Sequence, residues 1–118
     1  MILASIKRNL AAVNDRIERA AETAHRDPHS ITLVGVSKTV GRESVDAAYE
    51  AGVRQFGENR VHDAARKFDP KLPGDAKLHM IGQLQSNKAS QAAGLFDVIE
   101  SVDRRSLITE LPNTVRGT

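Results

Sequence analysis

Ile31-Thr32-Leu33-Val34-Gly35-Val36-Ser37-Lys38 is the stretch on which the fold turns. Branched residues dominate it, apolar side chains fall on both faces, and a lysine follows the run. That pattern suits a strand covered on both sides, as in a parallel sheet. Upstream, Ile2, Ile6, Leu10, Val13, Ile17 and Ala20 or Ala21 recur at spacings of three and four, the stripe of an amphipathic helix. Pro28, in the polar stretch His25 to Ser30, stops that helix and disfavours helical geometry at Asp27.

Downstream, strand and helix alternate. Gly41 to Ala51 reads as a helix, with Gly52 where a left-handed C-cap belongs. Val53 to Gly57 is a second strand, and Arg60 to Phe68 a helix with Val61, Ala64, Ala65 and Phe68 as its apolar stripe, closed by Asp69-Pro70. After Pro73-Gly74, Leu78 to Gly82 gives a third strand, and Lys88 to Ala93 a helix capped by Gly94. Phe96 to Ser101 is the fourth strand; Arg104 to Leu111 is expected to add a turn or two of helix before Pro112, and 113–118 a disordered tail. The expected fold is α/β: one domain over residues 1–118, a leading helix and four βα units with parallel strands and right-handed crossovers. Ligands of such sheets gather at the carboxyl ends of the strands. Those ends carry Ser37-Lys38-Thr39, Gly57-Glu58-Asn59, Gly82 to Lys88 and Ser101-Val102-Asp103.

Composition narrows the function. In 118 residues, 40% are hydrophobic and 27% charged, and 17 Lys and Arg against 15 Asp and Glu leave a net charge of +2. Basic and acidic residues interleave, and Tyr49, Phe56, Phe68 and Phe96 are scattered, so neither a nucleic-acid footprint nor a stacking platform is present. The absence of cysteine excludes disulfides, thiolate metal sites and a cysteine nucleophile. No segment approaches the ~20 apolar residues that span a bilayer, and no signal-peptide pattern opens the chain. A soluble, cytoplasmic protein without nucleic-acid or membrane partners is expected.

Gly52-x4-Gly57 lacks the Lys and Ser or Thr of a phosphate loop, and its glycines flank a strand. No G-x-G-x-x-G signals a dinucleotide. His25 and His29 have metal-compatible spacing but belong to a polar loop without a third ligand, so no metal is expected. His79, within a strand, is expected to be hydrogen-bonded in the core or near the site. Tyr49, the only tyrosine, falls among Val45, Ala48 and Ala51 and is expected to pack. Lys38 shares a strand face with Val36, Val34 and Thr32. Spacing leaves two readings of it open: a desolvated amine able to form a Schiff base, or a snorkelling lysine that marks the strand end.

Val36-Ser37-Lys38-Thr39, Phe56-Gly57-Glu58-Asn59 and His79-Met80-Ile81-Gly82-Gln83-Leu84-Gln85-Ser86-Asn87-Lys88 together resemble the pyridoxal-phosphate homeostasis protein family, which has the alanine-racemase amino-terminal barrel fold. The leading helix and Phe96 to Asp103 match as well, so the resemblance reaches to about residue 111. It implies that Lys38 forms the Schiff base with pyridoxal 5′-phosphate (PLP) at the end of the first barrel strand. It further implies that Asn59 faces the cofactor or supports the Lys38 side, with His79, Gln83, Ser86 and Asn87 as rim or supporting residues. A (β/α)8 barrel needs on the order of 200 residues or more, so four βα units form the amino-terminal half of one and the chain reads as truncated. In the family the phosphate is held largely by loops near the end of the barrel. The implied function is a non-catalytic PLP carrier in intracellular PLP homeostasis, with PLP-dependent apoenzymes as partners and self-association through exposed sheet edges. The alternatives are a PLP-dependent amino-acid racemase or decarboxylase, or a remnant that no longer binds PLP. Racemisation needs an acid and a base on opposite faces of the cofactor, and no second domain here supplies the second group.

Overall fold

A computed structural model describes residues 2–101. Helix α1 spans Ile2–Thr23. It is followed by a 3₁₀ turn, Pro28–Ser30, whose N-cap Asp27 accepts the His29 N–H at 2.9 Å. Strand β1 is Gly35–Val36, α2 Arg42–Glu50, β2 Gln55–Glu58, α3 Val61–Lys67 and β3 Lys77–Met80. A second 3₁₀ turn, Ser86–Lys88, leads into α4, Ala89–Leu95, and β4 is Val98–Ile99. The strands form one four-stranded sheet in the order β1-β2-β3-β4, every pair parallel. This is the α/β half-barrel arrangement expected, with α1 packed against α2.

The end of α2 shows how closely local sequence sets the chain path. Gly52 adopts φ +115°, donates to Tyr49 O at 3.0 Å, and is followed by Val53 donating to Ala48 O at 2.9 Å. That is a Schellman closure, available to glycine without a Cβ penalty. It turns the chain directly into β2.

In-order parallel strands joined by right-handed crossovers place their helices on one face. The core lies there. Val45, Phe56, Val61, Ala64, Phe68, Leu78, Met80, Leu84, Ala89, Ala92 and Phe96 are buried between the sheet and α2 to α4. The Phe56 and Phe68 rings meet at 6.2 Å, tilted 58°.

Two consequences correct the sequence reading. First, the sheet is not covered on both sides by the described residues: Val36 is 53% exposed and Val98 39%. The face they share would be the interior of a closed barrel. Second, β1 is much shorter than the predicted strand over residues 31–37. The Val53 N–H is committed to the helix closure, so β2 offers no partner to Ile31–Leu33, and pairing begins at Gly35 opposite Phe56. Gly94 is also not a cap. It lies inside α4, which ends at Phe96 in extended geometry (φ −94°), where no left-handed residue is required. The predicted helix over 104–111 and tail over 113–118 lie outside the described residues.

Candidate functional site

The parallel ladder carries on past the strand ends, with Ser37 N–H bonded to Gly57 O (3.0 Å), Ile81 N–H to Glu58 O (2.9 Å) and Glu100 N–H to Met80 O (2.9 Å). The registers Val36↔Gly57, Gly57↔His79 and His79↔Val98 define one layer of the open face. Two residues further on, Lys38 and Asn59 stand in the turns after β1 and β2. Lys38 sits in the turn after β1 and is exposed, and Thr39 beside it has φ +68°. The expectation of a lysine desolvated between two covered faces is therefore corrected. With one face of the sheet open, the amine reaches water at the carboxyl ends of the strands.

Lys38 and Asn59 line a cleft of about 680 Å³ together with Thr39, Arg42, Arg60 and Arg66. The same lining holds five basic side chains (Lys38, Arg42, Arg60, Arg66, Lys67) against three acidic ones (Glu58, Asp63, Asp69), a local cationic excess. Asn59, half-buried, also borders a neighbouring cleft of about 480 Å³ with Gln83, Gln85 and Lys88. Ser86 and Asn87 lie on the turn before α4 and line neither of these clefts. His79 is buried one layer below Lys38, its Nδ1 2.8 Å from Glu100 Oε2 and its Nε2 2.6 Å from Gln55 Oε1. The hydrogen-bonded, buried histidine, one of the two expectations for His79, is found, its partners coming from β2 and from the residue after β4.

Sequence reasoning gave no role to Glu58. It is 1% exposed on the helix-covered face, contacted by the Ser37 hydroxyl and by Lys67 Nζ at 2.9 Å. The available signal was parity: Glu58 is two residues after Phe56, so it points into the core, where a carboxylate needs a partner. Lys67, on α3, is the partner. Tyr49 packs against the core as expected, but its hydroxyl also donates to Asp75 Oδ1 at 2.5 Å while Arg54 stacks 3.9 Å over its ring and bonds Asp75 Oδ2 at 2.9 Å. That trio joins the loop after α2 to the loop before β3, the end of the sheet remote from Lys38. Among the described residues no group of three or more His, Cys, Asp or Glu is placed to hold a metal, and no helix is long and apolar enough to cross a membrane.

A parallel α/β arc with a lysine in the turn after its first strand, a cationic cleft beside it and helices on one face defines a (β/α)-barrel-type chain. No family model matches it. The pyridoxal phosphate homeostasis protein of Escherichia coli K12 is 42% identical over 109 residues, covering 90% of this chain and 47% of that protein. The protein of the same name from Aquifex aeolicus is 37% identical over 102 residues, covering 86% and 45%. PipY of Synechococcus elongatus, solved with PLP bound, superposes with a TM-score of 0.70 at 42% identity, covering 83% of this chain and 47% of PipY. A protein of unknown function from Bifidobacterium adolescentis superposes with a TM-score of 0.80 at 33% identity, covering 95% and 50%. Over the stretch they share, the chain is similar to the pyridoxal phosphate homeostasis proteins. It spans about half the length of the curated relatives it matches.

Proposed function

We propose that this chain binds pyridoxal 5′-phosphate covalently through the Lys38 amine and serves PLP homeostasis in the cytoplasm as a carrier, without turning substrate over. The observation that carries the reading is the position of Lys38: an exposed amine at the carboxyl end of β1, on an anchored backbone, in a cleft with excess positive charge. The names of the relatives and the PLP held by PipY agree with it. The residues fit the group chemically. PLP is an aldehyde bearing an anionic phosphate; a primary amine captures the aldehyde, and a cationic lining favours the anion.

Lys38 supplies the amine and Asn59, beside it, a side-chain amide that orients what enters. His79 holds the layer beneath, braced by Glu100 and Gln55, and Gln83 contributes to the rim from the segment after β3, with Ser86 and Asn87 on the turn behind it, outside both clefts. The position of the only tyrosine supports the carrier reading over a racemase. Racemisation needs a second proton-transfer group across the bound cofactor, and Tyr49 is tied to Asp75 at the other end of the sheet. Apoenzymes that take up PLP are the partners expected of a carrier, and copies of the chain associate through the sheet edges.

Incubation with PLP, borohydride reduction and peptide mapping test the assignment. A pyridoxyl adduct on Lys38 is expected. An adduct on Lys88 or on surface lysines, with Lys38 unmodified, would overturn it.

A further inference from the structure

Although the Lys38 side chain is exposed, its backbone is held. Ser37, immediately before it, is buried with every polar group engaged. Its N–H donates to Gly57 O at 3.0 Å, and its hydroxyl contacts Glu58 Oε2 and, at 3.3 Å, Gly57 O. Its carbonyl, which belongs to the peptide bond joining Ser37 to Lys38, accepts from Lys67 Nζ at 2.6 Å and from the Val40 N–H at 3.4 Å. Lys67 reaches that carbonyl from α3. Its ammonium is neutralised by Glu58 at 2.9 Å, with side chains 13% and 1% exposed respectively.

A buried ion pair is a poor way to stabilise a fold, since apolar residues of similar volume do as well or better. It does have one property an apolar pair lacks here: a fixed N–H donor aimed at the carbonyl that precedes Lys38. We propose that Glu58 and Lys67 act as a positioning pair. The carboxylate holds the ammonium in place, and the ammonium grips the Ser37 carbonyl. The turn through Lys38 and Thr39 is thereby locked so that the amine is presented to the cleft at the strand ends. Both residues border the cleft, but in this role they act through the Ser37 carbonyl rather than on the aldehyde. The inference rests on the reading of Lys38 as the capturing group and concerns how that group is aimed.

The test compares the chain with Lys67→Met, Lys67→Arg and the double variant Glu58→Gln/Lys67→Met, using PLP as the probe. The double variant leaves no lone buried charge, so it remains informative if Lys67→Met alone fails to fold. Two quantities are read: the rate at which borohydride-trappable adduct forms on Lys38, and amide hydrogen exchange at residues 38–40. Misaligning a reacting group costs up to ~100-fold, so capture about tenfold slower or worse is expected in the double variant, with faster exchange at Val40 and an unchanged melting temperature. Lys67→Arg, which keeps a donor and a charge, should recover most of the rate. Capture and exchange in the double variant equal to those of the starting chain would overturn the positioning role. Lys38→Ala separates the two ideas. Loss of adduct there keeps the Lys38 reading intact whatever the pair does, whereas undiminished capture removes the Lys38 reading and the positioning proposal with it.

Discussion

Gly82 is pressed against the backbone of Asn59: a Cβ at position 82 would stand 2.5 Å from the Asn59 carbonyl oxygen and 2.7 Å from its Cα. This approach brings the turn after β3 onto the turn after β2, and the Ser101 hydroxyl donates to the Gly82 carbonyl from beyond β4. The three strand ends are thus stapled through one glycine. Gly82→Ala is expected to destabilise the chain by about 1–3 kcal/mol, the cost of forcing atoms into a filled site, and to displace Asn59. Gly57→Ala should cost less, because its Cβ would meet side-chain methyls of Ile81 and Val34 at 3.1 to 3.3 Å, which can give way. Denaturant unfolding of both variants measures this. Equal stability of Gly82→Ala and the starting chain would contradict the close approach.

The alternation of strand and helix was legible because each unit carries its own punctuation, Gly52 after α2 above all, and because Lys38 stands at a strand end where ligands of parallel sheets bind. What could not be read was coverage. Val34-Gly35-Val36 looks equally apolar whether a second layer lies over it or not, so the open face and the exposure of Lys38 had to come from the structure. Contacts between distant segments were equally silent. Ser37, Glu58 and Lys67 meet because α3 folds back over the ends of β1 and β2, and nothing local in Arg66-Lys67-Phe68 announces that Lys67 reaches a carbonyl thirty residues earlier. The half-barrel extent, by contrast, was legible by counting βα units.

The trio of Tyr49, Arg54 and Asp75 predicts a two-sided dependence of stability on pH. The hydrogen bond from Tyr49, aided by Arg54, holds the Asp75 carboxyl below the ordinary carboxylate range. The same bond, with some desolvation, pushes the Tyr49 phenol above its ordinary value. Asp75 therefore contributes stability above the ordinary carboxylate pKa of ~3.9 that disappears as pH falls through its lowered value. Tyr49 contributes stability below ~10 that disappears as pH rises through its raised value. Tyr49→Phe should abolish the alkaline difference and weaken the acid one, and Asp75→Ala should remove both. Melting curves from acid to alkaline pH, each variant subtracted from the starting chain, check this. Parallel curves over the whole range would show that the trio is not coupled in solution.

Carrier behaviour predicts that PLP stays bound without turnover. Incubation of PLP-loaded chain with L-alanine and a few other amino acids should give no racemisation or decarboxylation above the free-PLP background, as the carrier reading requires. Chiral chromatography after long incubation measures it. Turnover that vanishes in Lys38→Ala would establish an enzyme instead.

The last expectation concerns the open face. Among the described residues β1 and β4 are both edges, each with one side of its backbone unpaired, and Val36 and Val98 are exposed on the face opposite the core. Unpaired edges beside exposed apolar side chains are templates for association. At ~25 cal/mol per Å², a few hundred Å² of apolar surface left wet forfeits several kcal/mol, a large share of the ~5–15 kcal/mol that stabilises a domain. The 118-residue chain alone is therefore expected to self-associate and to bind PLP more weakly than a relative of about twice its length. Sedimentation velocity over a hundredfold range of concentration should show a rising weight-average mass. Val36→Lys, which places a charge on the open face, should shift the chain toward monomer, as inward-pointing edge charges do in natural sheets. A single monomeric species throughout, with a cooperative melt and PLP affinity equal to that of a full-length relative, would mean that the open face is closed in solution by some other part of the chain.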